Sequence, residues 1–446
     1  MNHILINTKK QQIKQKRQQI KQIKQKFRIQ QRIRMLQQQR QQKQQQQQPQ
    51  QPQSTINTDE YIKYHYQSIN TMTTSSINPK IKPNNFSSSQ LISLYNIPIV
   101  TKLKPTTRQV VVAIIVAFRC PTVQSDLNLY WKSPINFGPS SKPPTINVYT
   151  FPGATVNSGW GLEECLDVQM VAIANPNAKI WVVEAKSDNI IDMYNAVQYA
   201  SGTINADIIS CSWGGSDSNI LNGRNSLFIN PANTSNYKCF CASSGDNNSV
   251  NWPSVLSNVI SVGGSTLTCI SNLTNFMNRS EYTWTGAGCG YSTSVAIPSY
   301  QNSVNTSYYR ATPDISLVAN PVTGVYVVYN GKMTTVGGTS VACPLFAGIL
   351  SLANQQRFNV DKLPLTSVYT QTPTSNNKPS SIPSTNVQNF LYKTIYTNST
   401  LKSKCLIDIT IGTDGKYSAG NGYDIATGLG SPNVTELCNA LALNMS

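Results

Sequence analysis

Histidine is nearly missing from this chain. His3 and His65 are the only two among 446 residues. No histidine follows residue 65, which excludes a Ser/His/Asp or Cys/His centre built within the downstream chain. Charge is also scarce: Asp, Glu, Lys and Arg make up 12% of the residues against 39% hydrophobic ones. The chain has enough apolar residues for a core, and its polar surface falls to Asn, Ser, Thr and Gln. No apolar run reaches the roughly 18 residues of a membrane-crossing helix. Ten cysteines are spread from Cys120 to Cys438 without a paired CxxC array, which argues against a zinc ribbon or finger. An even count permits disulfides, and buried free thiols in a reducing compartment are equally consistent with it.

Acidic residues are absent from residues 1–50. Of the 36 basic residues in the chain, 13 lie there, which leaves 23 against 19 acidic residues downstream. The net charge of +17 therefore belongs mostly to a tail. A polyanion would find that tail before the domain, and the domain itself needs no nucleic acid. Residues 1–53 form a Gln/Lys/Arg-rich low-complexity tail that ends in QQQQQPQQPQ. Ile13, Ile20, Ile23 and Phe27 recur at helical spacing, so the tail reads as a basic amphipathic arm or as solvated low-complexity sequence. Residues 54–85 read as an Asn/Ser/Thr linker.

The texture changes at about residue 86. Buried strands are expected at 110–118, 146–151, 179–185, 206–213, 238–245 and 259–264, with helices at 162–174 and 188–200. Several of the strands are apolar on both faces, as parallel strands covered on each side are. The alternation predicts an α/β domain over 86–446, a doubly wound parallel sheet with helices on both faces. Catalytic groups in such sheets gather at the carboxyl ends of the strands. Residues 372–388 read as an inserted loop.

Three short stretches carry chemistry. VGGTSVACP (336–344) delivers Ser340 into an apolar helix from two glycines, and a helix N-terminus supplies free N–H groups to a reacting oxygen. EECLD places Glu163 and Asp167 four residues apart, on one face of a helix. Like charges so close share a proton, and one carboxyl then orients the other as a base. CASSGDNNS sets Asp246 just past a buried strand. With no histidine downstream, a carboxylate is left to activate Ser340. A fourth stretch, Ser212-Trp213-Gly214, ends another strand and reads either as a surface for a substrate backbone or as a strand end with a core tryptophan.

GGTSVACP, EECLD and SSGD in this order resemble the sedolisin family of serine-carboxyl peptidases, and the resemblance runs over about residues 86–444. FSSSQLISLYNIP, WPSVLSNVISVGGSTL and PDISLVANPVTGVYVVYNG match its connecting text. The resemblance implies a subtilisin-like fold and an endopeptidase or tripeptidyl-peptidase acting at acidic pH on peptides or unfolded proteins. It implies Ser340 as nucleophile, Glu163 as general base and acid, Asp167 as its orienting partner, and a protonated Asp246 at the oxyanion. It implies substrate contact at Ser212, Trp213 and Gly214. In DITIGTDGKYSAGNGYDIATGLGSPN (408–433) it implies one Ca2+ held by Asp408 and Asp424 carboxylates and by the carbonyls of Ile409, Gly420 and Gly422. A monomer is expected. The family is lysosomal or secreted, whereas MNHILINTKKQQ lacks the apolar core of a secretory signal. A catalytically silent member that binds peptides, or acts through its Gln-rich tail, is the rival reading.

Overall fold

A computed structural model describes residues 63–64, 67–68, 85–99, 108–133, 142–217, 228, 238–269, 275–367 and 385–444. The tail, most of the linker and the greater part of the inserted loop lie outside these residues.

In chain order the elements that build the domain are β1 (Val111–Ala117), α1 (Val123–Lys132), β2 (Asn147–Thr150) and α2 (Ser158–Ala174). Next come β3 (Lys179–Ala185), α3 (Ile190–Gln198), β4 (Ile208–Cys211) and β5 (Trp213–Ser216). They are followed by β6 (Cys239–Ser243), β7 (Val259–Cys269), β8 (Arg279–Thr283) and β9 (Ile315–Val318). Then come β10 (Val325–Tyr329), β11 (Lys332–Gly337) and α4 (Thr339–Phe358), and short helices and strands follow between residues 387 and 444.

The central sheet runs β8-β7-β6-β4-β1-β3-β2, with β9 also paired to β7. Every pairing is parallel except β7 with β8. The register is regular where the sequence is most apolar: β1 meets β3 without a break from Val111↔Lys179 to Ala117↔Ala185. Every residue of β1 from Val112 to Ala117 is buried, so both faces of the sheet centre are covered. The fold is the expected subtilisin-like α/β arrangement.

Two helices fix the site. Asn157 caps α2 by accepting from the Gly159 and Trp160 N–H groups. Every residue from Glu163 to Ala174 in α2, and from Thr339 to Gln355 in α4, is buried. A helix buried all round must pack on every side, and these two pack on each other. Gly348 lets them approach: a Cβ there would lie 2.6 Å from Ala174 Cβ and 3.0 Å from Val171 O. Asn175 Nδ2 donates to Ser351 Oγ at 3.0 Å across the same contact. Gln169 clasps β10 with two bonds, Nε2 to Val328 O at 2.7 Å and Oε1 from Val328 N at 2.9 Å. All ten cysteines stand as free thiols in this structure, nine of them buried.

Candidate active site

Helix α4 starts from Gly338, whose φ of 123° lies in the region that favours glycine, and Ser340 is the second residue of the helix, one past Thr339. Its Oγ donates to the carbonyl of Ser212 at 3.1 Å. Ser212 stands between β4 and β5, and its own Oγ donates to Asp167 Oδ1 at 2.7 Å. One buried serine thus joins the two helices, its carbonyl holding Ser340 and its hydroxyl holding Asp167.

Glu163 and Asp167 lie on α2 and are both fully buried. Neither oxygen of Glu163, nor Asp167 Oδ2, has a hydrogen-bond partner among the described residues. Burial first, then the Asp167 charge, raises Glu163 well above the usual carboxylate range, while the neighbouring Ser340 hydroxyl opposes the rise. Burial also raises Asp167, against the bond from Ser212. Two carboxyls in this setting hold at least one proton near neutrality.

Asp246 follows β6 at its carboxyl end. Its Oδ1 accepts from Thr339 N and from Thr339 Oγ1, each at 2.8 Å, and Thr339 Oγ1 in turn accepts from Gly245 N at 3.1 Å. Oδ2 is buried and unpartnered among the described residues. Burial pushes this carboxyl up to about 7, and the two Thr339 bonds pull against it. Asp246 therefore has an oxygen committed to accepting and a second one able to carry a proton. Its charge also reaches Glu163, so all four residues share one electrostatic site.

The structure thus gathers Ser340, Glu163, Asp167 and Asp246 as the sequence suggests. It adds Thr339, which orients Asp246, and it gives Ser212 a part that sequence alone did not suggest. Trp213 is buried, packs on Trp252 at 6.0 Å between ring centroids, and donates its Nε1–H to Ile115 O at 2.8 Å. Only its backbone is left for the cleft. Gly214 is buried as well, and exposure begins at Gly215. The strands that flank Ser212 and Ser340 both pair with the upstream chain. Residues Lys63 and Tyr64 run antiparallel to Gly214 and Trp213 of β5. Gln67 and Ser68 run antiparallel to Gly337 and Val336 of β11. His65 lies outside the described residues.

The C-terminal loop brings Asp408, Gly420, Gly422 and Asp424 together. Asp408 Oδ2 accepts from Gly422 N at 2.6 Å, and Asp424 Oδ2 from Gly420 N at 3.2 Å. Burial raises Asp424 above its ordinary value. Two carboxylates on one glycine-rich turn, with oxygen donors only, fit a hard divalent cation.

Comparison with known proteins follows the same lines. A model of the subtilase family matches residues 160–399. The chain is 31% identical to sedolisin of Pseudomonas sp. (strain 101) over 206 residues, which are 43% of this chain and 30% of that protein. It is 27% identical to kumamolisin of Bacillus sp. (strain MN-32) over 312 residues, 62% of this chain and 50% of that one. It is 26% identical to tripeptidyl-peptidase 1 of Dictyostelium discoideum over 328 residues, 64% and 48% of the two chains. These matches span half or less of the curated relatives' length. A solved structure of Pseudomonas sedolisin, complexed with two molecules of pseudo-iodotyrostatin, superposes with a TM-score of 0.64 at 21% identity. That alignment covers 82% of this chain and 100% of the other. Family model, relatives and fold agree: the chain belongs to the sedolisin family of serine-carboxyl peptidases, within the subtilases.

Proposed function

We propose that this protein hydrolyses peptide bonds at acidic pH with Ser340 as nucleophile. The observation that carries the reading is the buried constellation in which Ser340 stands beside a carboxyl pair and Asp246. Glu163 takes the Ser340 proton as Oγ attacks the scissile carbonyl, and returns it to the leaving amine. Asp167, held by Ser212, keeps Glu163 in place and shares the remaining proton of the pair. Ser340 Oγ turns from the Ser212 carbonyl to Glu163 for this step. The forming oxyanion receives the Asp246 Oδ2 proton and the Ser340 N–H in the first turn of α4. An ionised Asp246 would repel that oxyanion, so its rise to about 7 sets the alkaline limit of activity.

The substrates are peptides or unfolded proteins, bound as extended chain. Support comes from the protein itself: β5 and β11 already take residues 63–64 and 67–68 as antiparallel partners on either side of the Ser212–Ser340 contact. Main-chain pairing of this kind gives affinity with little demand on side chains. Asp408, Asp424 and the carbonyls of Ile409, Gly420 and Gly422 would hold one Ca2+, which braces the loop and takes no part in the proton steps. Among the described residues no helix is long and apolar enough to cross a membrane.

The test is a pH–rate profile of peptide cleavage by the full chain and by Ser340→Ala. Cleavage confined to acidic pH and lost in the variant supports the reading. A neutral-to-alkaline optimum, or activity that survives the substitution, contradicts it.

A further inference from the structure

A second polar cluster lies beside the catalytic pair and has no part in the proposed reaction. Cys165 sits on α2 between Glu163 and Asp167. Its Sγ is 3.6 Å from Cys120 Sγ and 3.6 Å from Asp126 Oδ2. The three ligating atoms fall within 4.8 Å of one another, and all three residues are buried. Next to them Glu164 is fully buried, with neither carboxyl oxygen partnered among the described residues. An unpartnered buried carboxyl is costly.

We propose that Cys120, Cys165 and Asp126 form a binding site for one Zn2+-class divalent cation, with the fourth position open to solvent or another ligand. Tetrahedral zinc with Zn–S bonds of about 2.3 Å and Zn–O bonds of about 2.0 Å has S–S edges of about 3.8 Å and S–O edges of about 3.5 Å. Both 3.6 Å separations lie close to those edges. Mixed thiolate and carboxylate donors suit zinc better than calcium or magnesium. Asp126 is already aimed: its Oδ1 accepts from Gly331 N at 2.8 Å and its Oδ2 from Asn330 N at 2.9 Å, the orienting contacts a ligating carboxylate needs. Binding would displace the thiol protons of Cys120 and Cys165, as it does wherever zinc takes thiolate ligands.

The ion would tie together three parts of the catalytic frame. These are the loop after β1, the helix that carries Glu163 and Asp167, and α1, whose Asp126 also holds the β10–β11 turn at the head of the strand leading to Ser340. Its role is bracing, since no member of the cluster contacts Ser340.

The experiment uses the full chain, reduced and depleted of transition metal at neutral pH with calcium kept present. Zn2+ alone, then Co2+ alone, is titrated in. The expected result is one ion per chain, a sulfur-to-cobalt charge-transfer band, and protection of Cys120 and Cys165 from alkylation, mapped by mass spectrometry. Cys120→Ser should lose the band, and Asp126→Asn should weaken affinity by about 10- to 100-fold. If these variants fold poorly, the band and the alkylation map of the unaltered chain still decide. No stoichiometric binding, binding without a thiolate band, or a Cys120–Cys165 disulfide as the stable form would overturn the proposal.

Discussion

Replacing Asp246 by Asn should make the protein more stable at neutral pH and leave it nearly unchanged at acidic pH. Asparagine keeps an oxygen to accept from Thr339 and cannot ionise. In the native protein burial lifts Asp246 from an ordinary 3.8 to about 7. Below the ordinary value the group is protonated in both the folded and unfolded states and favours neither. As pH rises from about 4 to about 7 the unfolded chain gains a solvated carboxylate while the folded one must keep its proton. Folding stability is therefore lost with rising pH, at about 1.4 kcal/mol per pH unit and at most about 4 kcal/mol in total. Glu163, Glu164 and Asp167 are shifted in the same direction and add to the loss. The difference between parent and Asp246→Asn isolates the one residue. Urea unfolding at about pH 4, 6 and 8, in a Ser340→Ala background that cannot digest itself, measures it by linear extrapolation. A stability gap that stays constant to within about 0.5 kcal/mol across this range would refute the assignment of a buried, proton-holding Asp246.

Other substitutions follow from the same geometry. Ser212→Ala removes the partner of Asp167 Oδ1 and the bond that opposes its upward shift, so Asp167 should titrate still higher. That variant should lose about 1.5–3 kcal/mol in urea unfolding and change the pH profile of cleavage as well as its rate. Gly348→Val forces a methyl-bearing Cβ into the α2–α4 contact and should cost about 1–3 kcal/mol or more, read as a fall in melting temperature. Calcium chelation should lower the melting temperature of the parent, with about 2.7 kcal/mol at stake at a hundredfold excess over Kd, and leave Asp424→Asn unmoved.

Parts of this structure were legible because one physical signal dominated. KIWVVEA is a strand over the very residues expected, since a central parallel strand buried on both faces must be apolar throughout. β7 runs on to Cys269, past the expected 264, because its last residues pair with β8 at the sheet edge and need not be uniformly apolar. The α2 helix begins at Ser158 rather than 162, where Asn157 caps a glycine-containing first turn, Ser-Gly-Trp-Gly, that hydrophobic periodicity does not mark. Ser340, Glu163, Asp167 and Asp246 were readable from spacing and from their places beside strand ends and helix starts. The bridging bonds of Ser212 were not, because a serine at a strand end gives no sign of which way its hydroxyl turns. The burial of Trp213 settles its side chain in the core, one of two readings the sequence allowed. Glu164 was hidden beside Glu163: adjacent residues on a helix face different neighbours, and only packing shows that both are buried.

The central claim is that a carboxylate, not a histidine, activates Ser340. The rival is one of the two upstream histidines, His3 or His65, acting on Ser340 from outside the described residues. The direct measurement is cleavage of one peptide by a histidine-free chain, His3→Ala with His65→Ala, beside Glu163→Gln. The account predicts that the histidine-free chain retains cleavage and that Glu163→Gln loses at least about a thousandfold in kcat. Loss of cleavage by a folded histidine-free chain, with Glu163→Gln still active, would contradict it.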